Sequence, residues 1–151
     1  MNVTDLSPVI RDATEQDLEP IIAIDAQISG IEKRTYWREA YTEYQRHKEI
    51  RVFLVATRDN KVMGFIMGEI RAWEFGSKPC GWVFAIGVRE DCKLTGVGSR
   101  LLDELCRHFR QRGVRKVRTM TAKQDNELLS FFRSQGMMAG PYLQLEKDLS
   151  D

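Results

Sequence analysis

Histidine and cysteine are scarce in this 151-residue chain: there are two histidines, His47 and His108, and three cysteines, at positions 80, 92 and 106, with no C-x-x-C pair. An odd cysteine count without ligand spacing argues against both a disulfide framework and a structural zinc site, so no metal is expected. An excess of either charge is also missing. The 23 Lys and Arg stand against 22 Asp and Glu, a formal +1, which leaves no global basic field to hold a nucleic-acid backbone or an anionic membrane. Long apolar runs are absent too: Trp82 to Val88 is about a third of the roughly 20 residues a bilayer span needs. Residues 1–10 carry no basic stretch followed by an apolar one, as a leader would. The expectation is a soluble, cytoplasmic protein in a reducing compartment, with neither nucleic acid nor membrane as a partner.

What is present is 42% apolar residues, mixed-sign charge, and no repeat or linker-like tract, so residues 1–151 are expected to form a single domain. Val9 to Arg11 predicts a short first strand. Thr14-Glu15-Gln16-Asp17 resembles a capping box ahead of Leu18, Ile21, Ile22 and Ile24; alternatively, Asp17 caps a helix with Pro20 in its first turn. After a break at Gly30, residues 32–49 predict a second helix with an aromatic face. Residues 52–56 and 62–70 flank Arg58-Asp59-Asn60-Lys61 and predict an antiparallel hairpin. Trp82 to Val88 is too short for a helix and predicts a strand buried on both faces near the sheet centre. Val97, Leu101, Leu102, Leu105 and Phe109 form a helical stripe ending at Gly113, and strand 114–121 follows. A last helix, 126–135, and a last strand, 142–149, complete the chain. The fold class is α/β in the α+β sense: a mixed, mostly antiparallel sheet flanked by helices on both faces, with one parallel strand–helix–strand crossover over residues 82–121.

The chemistry is concentrated between that apolar strand and its helix, in Arg89-Glu90-Asp91-Cys92-Lys93-Leu94-Thr95-Gly96-Val97-Gly98-Ser99-Arg100. Glycines let the backbone approach a ligand, and free N–H groups at a helix start form an anion site. A dinucleotide fingerprint requires a glycine where Leu101 stands, and a P-loop requires Gly-Lys-Ser/Thr where Gly-Ser-Arg stands, so neither fits.

Lys93-Leu94-Thr95-Gly96-Val97-Gly98, preceded by Ala85-Ile86-Gly87-Val88 and followed by Ser99-Arg100-Leu101-Leu102, resembles the (Gln/Arg)-x-x-Gly-x-(Gly/Ala) loop of the Gcn5-related N-acetyltransferases (GNAT). Asp125-Asn126, Phe131-Phe132 and Gly136-Met137 are similar to that family's later Asn…(Leu/Phe)-Tyr…Gly-Phe segment. The resemblance implies a GNAT-like fold and an acyltransferase that moves an acetyl group from acetyl-CoA, its cosubstrate, to a primary amine. That amine is a protein N-terminus, a lysine or a small molecule. It further implies cofactor contacts at Ile86, Gly87, Val88, Lys93, Leu94, Thr95, Gly96, Val97, Gly98, Ser99, Arg100, Asn126 and Phe132, with the pantetheine arm between strands 82–88 and 114–121.

Three positions depart from the family pattern. Phe132 stands where many relatives carry a thiolate-protonating Tyr, and Met120 and Trp82 stand where two branches carry a base Glu. The candidates that remain for catalysis are Glu69, as a base acting through water, Glu74 in the following loop, and Tyr142, as a thiol donor. Asp25, Glu32, Tyr36 and Trp37 are candidates for the acceptor wall, because a cationic amine is met by carboxylates and aromatic faces. The short C-terminus suggests that Tyr142 to Leu149 pairs with or covers an edge in a homodimer, although Glu146, Lys147 and Asp148 are equally charges that block such pairing. The alternative function is a non-catalytic acyl-CoA-binding regulatory module.

Overall fold

The alternating apolar residues from Arg51 onward fold as a hairpin, β2 (Arg51–Arg58) and β3 (Lys61–Arg71), in a computed structural model that describes residues 7–151. The leader reading of residues 1–10 therefore falls partly outside the described residues. Asp59 and Asn60 turn the hairpin with both φ angles positive, 51° and 63°, the geometry that matches the twist of paired strands. With β1 (Val9–Asp12), β4 (Cys80–Val88) and β5 (Val117–Arg118) they form one sheet in the order β1-β2-β3-β4-β5. Every pairing is antiparallel except β4 with β5, which α3 (Val97–Gln111) connects. The sheet is thus mixed and mostly antiparallel, as expected.

Two faces of this sheet are covered by different helices. α1 (Leu18–Ser29) and α2 (Arg34–Arg46) bring Ile21, Ile24, Trp37 and Tyr44 into one cluster with Phe53, Phe65 and Met67. Each fully buried side chain of this size contributes on the order of 2 kcal/mol. On the other face α3 lays Leu105 and Phe109 over Gly68 and Gly81. The link from β1 into α1 is an ionic knot. Buried Asp17 accepts hydrogen bonds from Arg11 Nη1 (2.6 Å) and Nη2 (2.9 Å) and from the Thr14 amide (2.7 Å). Burial alone raises the Asp17 carboxyl, but Arg11 and Thr14 together outweigh it and hold the group below the ordinary aspartate value. Pro20 lies in the first turn of α1, where its missing N–H is harmless.

The backbone divides into two compact units, Met1–Met120 and Thr121–Asp151. The second holds α4 (Asn126–Ser134), capped by Asp125, whose side chain accepts from the Leu128 amide at 3.0 Å. The chain leaves α4 through Gly136, at φ 87°.

Three expectations about strands are corrected. β3, not β4, is the middle strand, and several β4 residues are only half buried because β5 covers just its first part. The strand expected over 114–121 shrinks to Val117–Arg118: β4 carries an extra residue, Phe84, between the pairs Met67–Ala85 and Gly68–Val83, and this bulge re-aims it. Residues 142–149 form no strand. Leu143, Leu145 and Leu149 are 85–90% exposed, and alternation in sequence supplies a strand's pattern without supplying a partner edge.

Candidate active site

A short turn, Glu90–Cys92, leads from β4 to a backbone reversal in which Leu94 (φ 64°) and Gly96 (φ 84°) are left-handed. Gly96 is the N-cap of α3, where a left-handed residue with a Cβ would be strained. Buried Val97 anchors the first turn. The opening amides of a helix lack intrahelical partners, so those of Val97 and Gly98 are placed to meet an anion. Thr95 Oγ1 donates to the Cys92 carbonyl and pins the turn. The cationic side chains nearby have protein partners: Lys93 Nζ is 3.1 Å from Glu90 Oε2, and Arg100 Nη1 donates to the Pro8 carbonyl at 2.9 Å. The cradle is therefore chiefly one of backbone N–H groups. Burial and the adjacent Asp91 push the Cys92 thiol up, which is opposite to what a nucleophile needs.

Ile86, Gly87 and Val88 lie on β4 just before this turn. A Cβ built on Gly87 would be 2.6 Å from Phe65 Cε1 and 3.3 Å from Ile28 Cδ1, so glycine there lets the ring and α1 close on the strand. On its other side β4 meets β5 only at Gly81–Val117 and Trp82–Arg118, and Thr119 Oγ1 donates to the Val83 carbonyl at 3.0 Å. Past Val83, no β5 pairing occurs among the described residues. An open strand edge thus runs from the bulge to the helix cradle, and an extended ligand bearing amides can pair with it.

At the other end of β4 stands Glu69. Its Oε1 lies 3.4 Å from Arg51 Nη2 and its Oε2 3.6 Å from Arg71 Nε, so a guanidinium faces each oxygen. Arg71 Nη1 is 3.2 Å from Glu74 Oε2, and its guanidinium lies 5.0 Å over the ring of Phe84, the bulge residue. The register pairs Arg51 with Glu69, which sets up this network. Among the acceptor-wall candidates, Asp25 Oδ2 accepts from Trp37 Nε1 at 3.0 Å and lies 3.3 Å from Lys33 Nζ. Trp37 is buried against Phe65, with centroids 5.0 Å apart, while Tyr36 is exposed beside it at 5.1 Å. Glu32 pairs with Arg34 at 3.2 Å on the exposed side. Asp25 and Trp37 are thus brought together, and Glu69 belongs to a different set. In the second unit, Asn126 opens α4, Phe132 is buried with its ring 5.3 Å from Phe131, and Tyr142 is exposed. Phe84 and Thr119 were missed from sequence, since neither a bulge nor a long-range contact leaves a spacing signature.

Residues 18–137 match the Acetyltransferase (GNAT) family, and the chain belongs to it. It is 28% identical over 129 residues to a mycothiol acetyltransferase of Saccharomonospora viridis, which covers 80% of this chain. The chain spans only 42% of that relative's length. The fold is similar to an aminoglycoside N-acetyltransferase, AAC(6')-Iy, solved in complex with CoA: TM-score 0.82 and 16% identity, over 99% of this chain and all of that one. It is also similar to a transcriptional regulator from Bacillus halodurans C-125: TM-score 0.79 and 21% identity, over 94% of this chain and 99% of that one.

Proposed function

We propose that this acetyltransferase moves the acetyl group of acetyl-CoA to the primary amine of a small cationic acceptor by direct attack, the ammonium proton leaving through water. The observation that carries this reading is the open edge of β4 ending at the glycine turn. The amides of Val97 and Gly98 fit a pyrophosphate, and the backbone at Ile86 and Val88 fits the amides of an extended pantetheine arm. Acetyl-CoA supplies an activated thioester. The protein's task is then alignment, a donor for the developing oxyanion from the backbone at the Phe84 bulge, and a path for the proton. Glu69 takes up that proton through water by loosening one of its guanidinium contacts. A free thiol titrates at about 8.5, so the leaving group needs no strong acid. A small acceptor, rather than a protein N-terminus or lysine, is supported by the aminoglycoside acetyltransferase that shares the fold.

Calorimetric titration with acetyl-CoA, followed by thiol release against a panel of primary amines, tests this. Saturable binding and acceptor-dependent release are expected, with Glu69→Gln slowing release about tenfold or more. A folded protein free of co-purified ligand that does not bind acetyl-CoA would overturn the reading. The second reading, a non-catalytic acyl-CoA-binding module, is favoured by Met120, Trp82 and Phe132 at the positions where relatives handle protons, and binding without release with any amine would establish it.

A further inference from the structure

Between β3 and β4 the chain sets two large aromatic residues in the left-handed region within three positions, Trp73 at φ 70° and Phe75 at φ 54°. Side chains of this size avoid that region, and a turn under no other demand is built there with Gly or Asn. Both rings also point outward, 69% and 77% exposed. Backbone strain and apolar exposure coincide in the same two residues, and packing within the protein offsets neither. The loop is nonetheless well fixed. The Trp73 amide donates to the Ser77 carbonyl at 2.6 Å, the Ser77 amide to the Glu74 carbonyl at 3.0 Å, and Arg118 Nη1 to Ser77 Oγ at 2.8 Å, which ties the loop to β5. Its stem reaches the bulge, because Arg71 both pairs with Glu74 and lies over Phe84.

We propose that Trp73 and Phe75 form a recognition platform that takes the ring portion of a ring-bearing cationic amine, with the Glu74 carboxylate beside it. The aromatic faces supply stacking and cation–π attraction, and the fixed loop holds them with little to reorganise on binding. The platform deepens the reading of the protein as an amine acetyltransferase, and it rests on that reading for the position of the acceptor, but it can be tested by binding alone.

Two amines matched in charge, 2-phenylethylamine and n-hexylamine, are compared by saturation-transfer NMR on the full chain. The expected result is transfer to the ring protons of phenylethylamine that falls at least fivefold in W73A/F75A, weak transfer to hexylamine in both proteins, and acetyl-CoA affinity within twofold. Equal signals from the two amines, or an undiminished signal in the double variant, overturns the proposal. Glycine variants provide a second readout: in W73G and F75G the thermal midpoint should stay unchanged or rise, because the left-handed positions are relieved, while the phenylethylamine signal is lost. A lowered midpoint would make the rings structural and overturn it as well. Absence of thiol release with every amine would count against acetyl transfer and leave both of these readouts intact.

Discussion

The two ends of β4 are built on opposite plans. At the end that runs into α3, the groups proposed to bind are backbone amides that follow a left-handed Gly96, and the nearby cations Lys93 and Arg100 are engaged by Glu90 and by the Pro8 carbonyl. At the end that meets β3, the groups are side chains: Glu69, Arg71, Phe84 and the outward Trp73 and Phe75. A donor common to a whole family can be met by main chain, which tolerates change in the surrounding side chains. On the proposed reading the acceptor would be met by side chains at the other end.

The comparison can be broken most sharply by Gly96→Val. A β-branched residue cannot adopt φ 84° without strain, so the first turn of α3 shifts, and acetyl-CoA affinity in calorimetry should fall about 100-fold or more. Gly87→Ala acts on the same end through packing. The new methyl meets a buried Phe65 ring that has no room to retreat, and denaturant unfolding should report a loss of about 1–3 kcal/mol. At the other end, Arg71→Ala removes the contacts to Glu69, Glu74 and Phe84 together. The acceptor KM should rise about tenfold while acetyl-CoA affinity stays within about twofold, and Arg71→Lys should rescue little, since an ammonium lacks the planar fork that stacks and bridges. An equal loss of donor affinity in that variant would erase the distinction between the ends. The smallest effect is expected for Lys93→Ala, about threefold or less in acetyl-CoA affinity, because that ammonium already has Glu90 as its partner.

The same contrast explains what the residues disclosed in advance. Gly96 and Gly98 at a helix start, the stripe from Val97 to Phe109, and Asp59-Asn60 between two alternating runs are local patterns, and each became the turn or element it suggested. The pairing of Arg51 with Glu69 depends on register across 18 positions, which no window of sequence displays. The bulge at Phe84 sits inside an uninterrupted apolar run, where one extra residue breaks no visible period. Strands were expected over 114–121 and 142–149, and β structure also requires an edge to pair with. Trp37 is a case of two roles in one residue: its ring belongs to the core, while its Nε1 fixes the carboxylate of Asp25.

The gap beside β4 also bears on how long the protein survives. A sheet that leaves one strand edge unfinished can have part of its cohesion supplied from outside, and the proposed seat of the donor along that edge would complete it. Any ligand that binds only the folded chain adds to its stability by mass action, about 2.7 kcal/mol at a concentration 100 times its dissociation constant. If the donor binds along this edge as proposed, the thermal midpoint of the chain should rise with acetyl-CoA concentration, and proteolysis should slow in step.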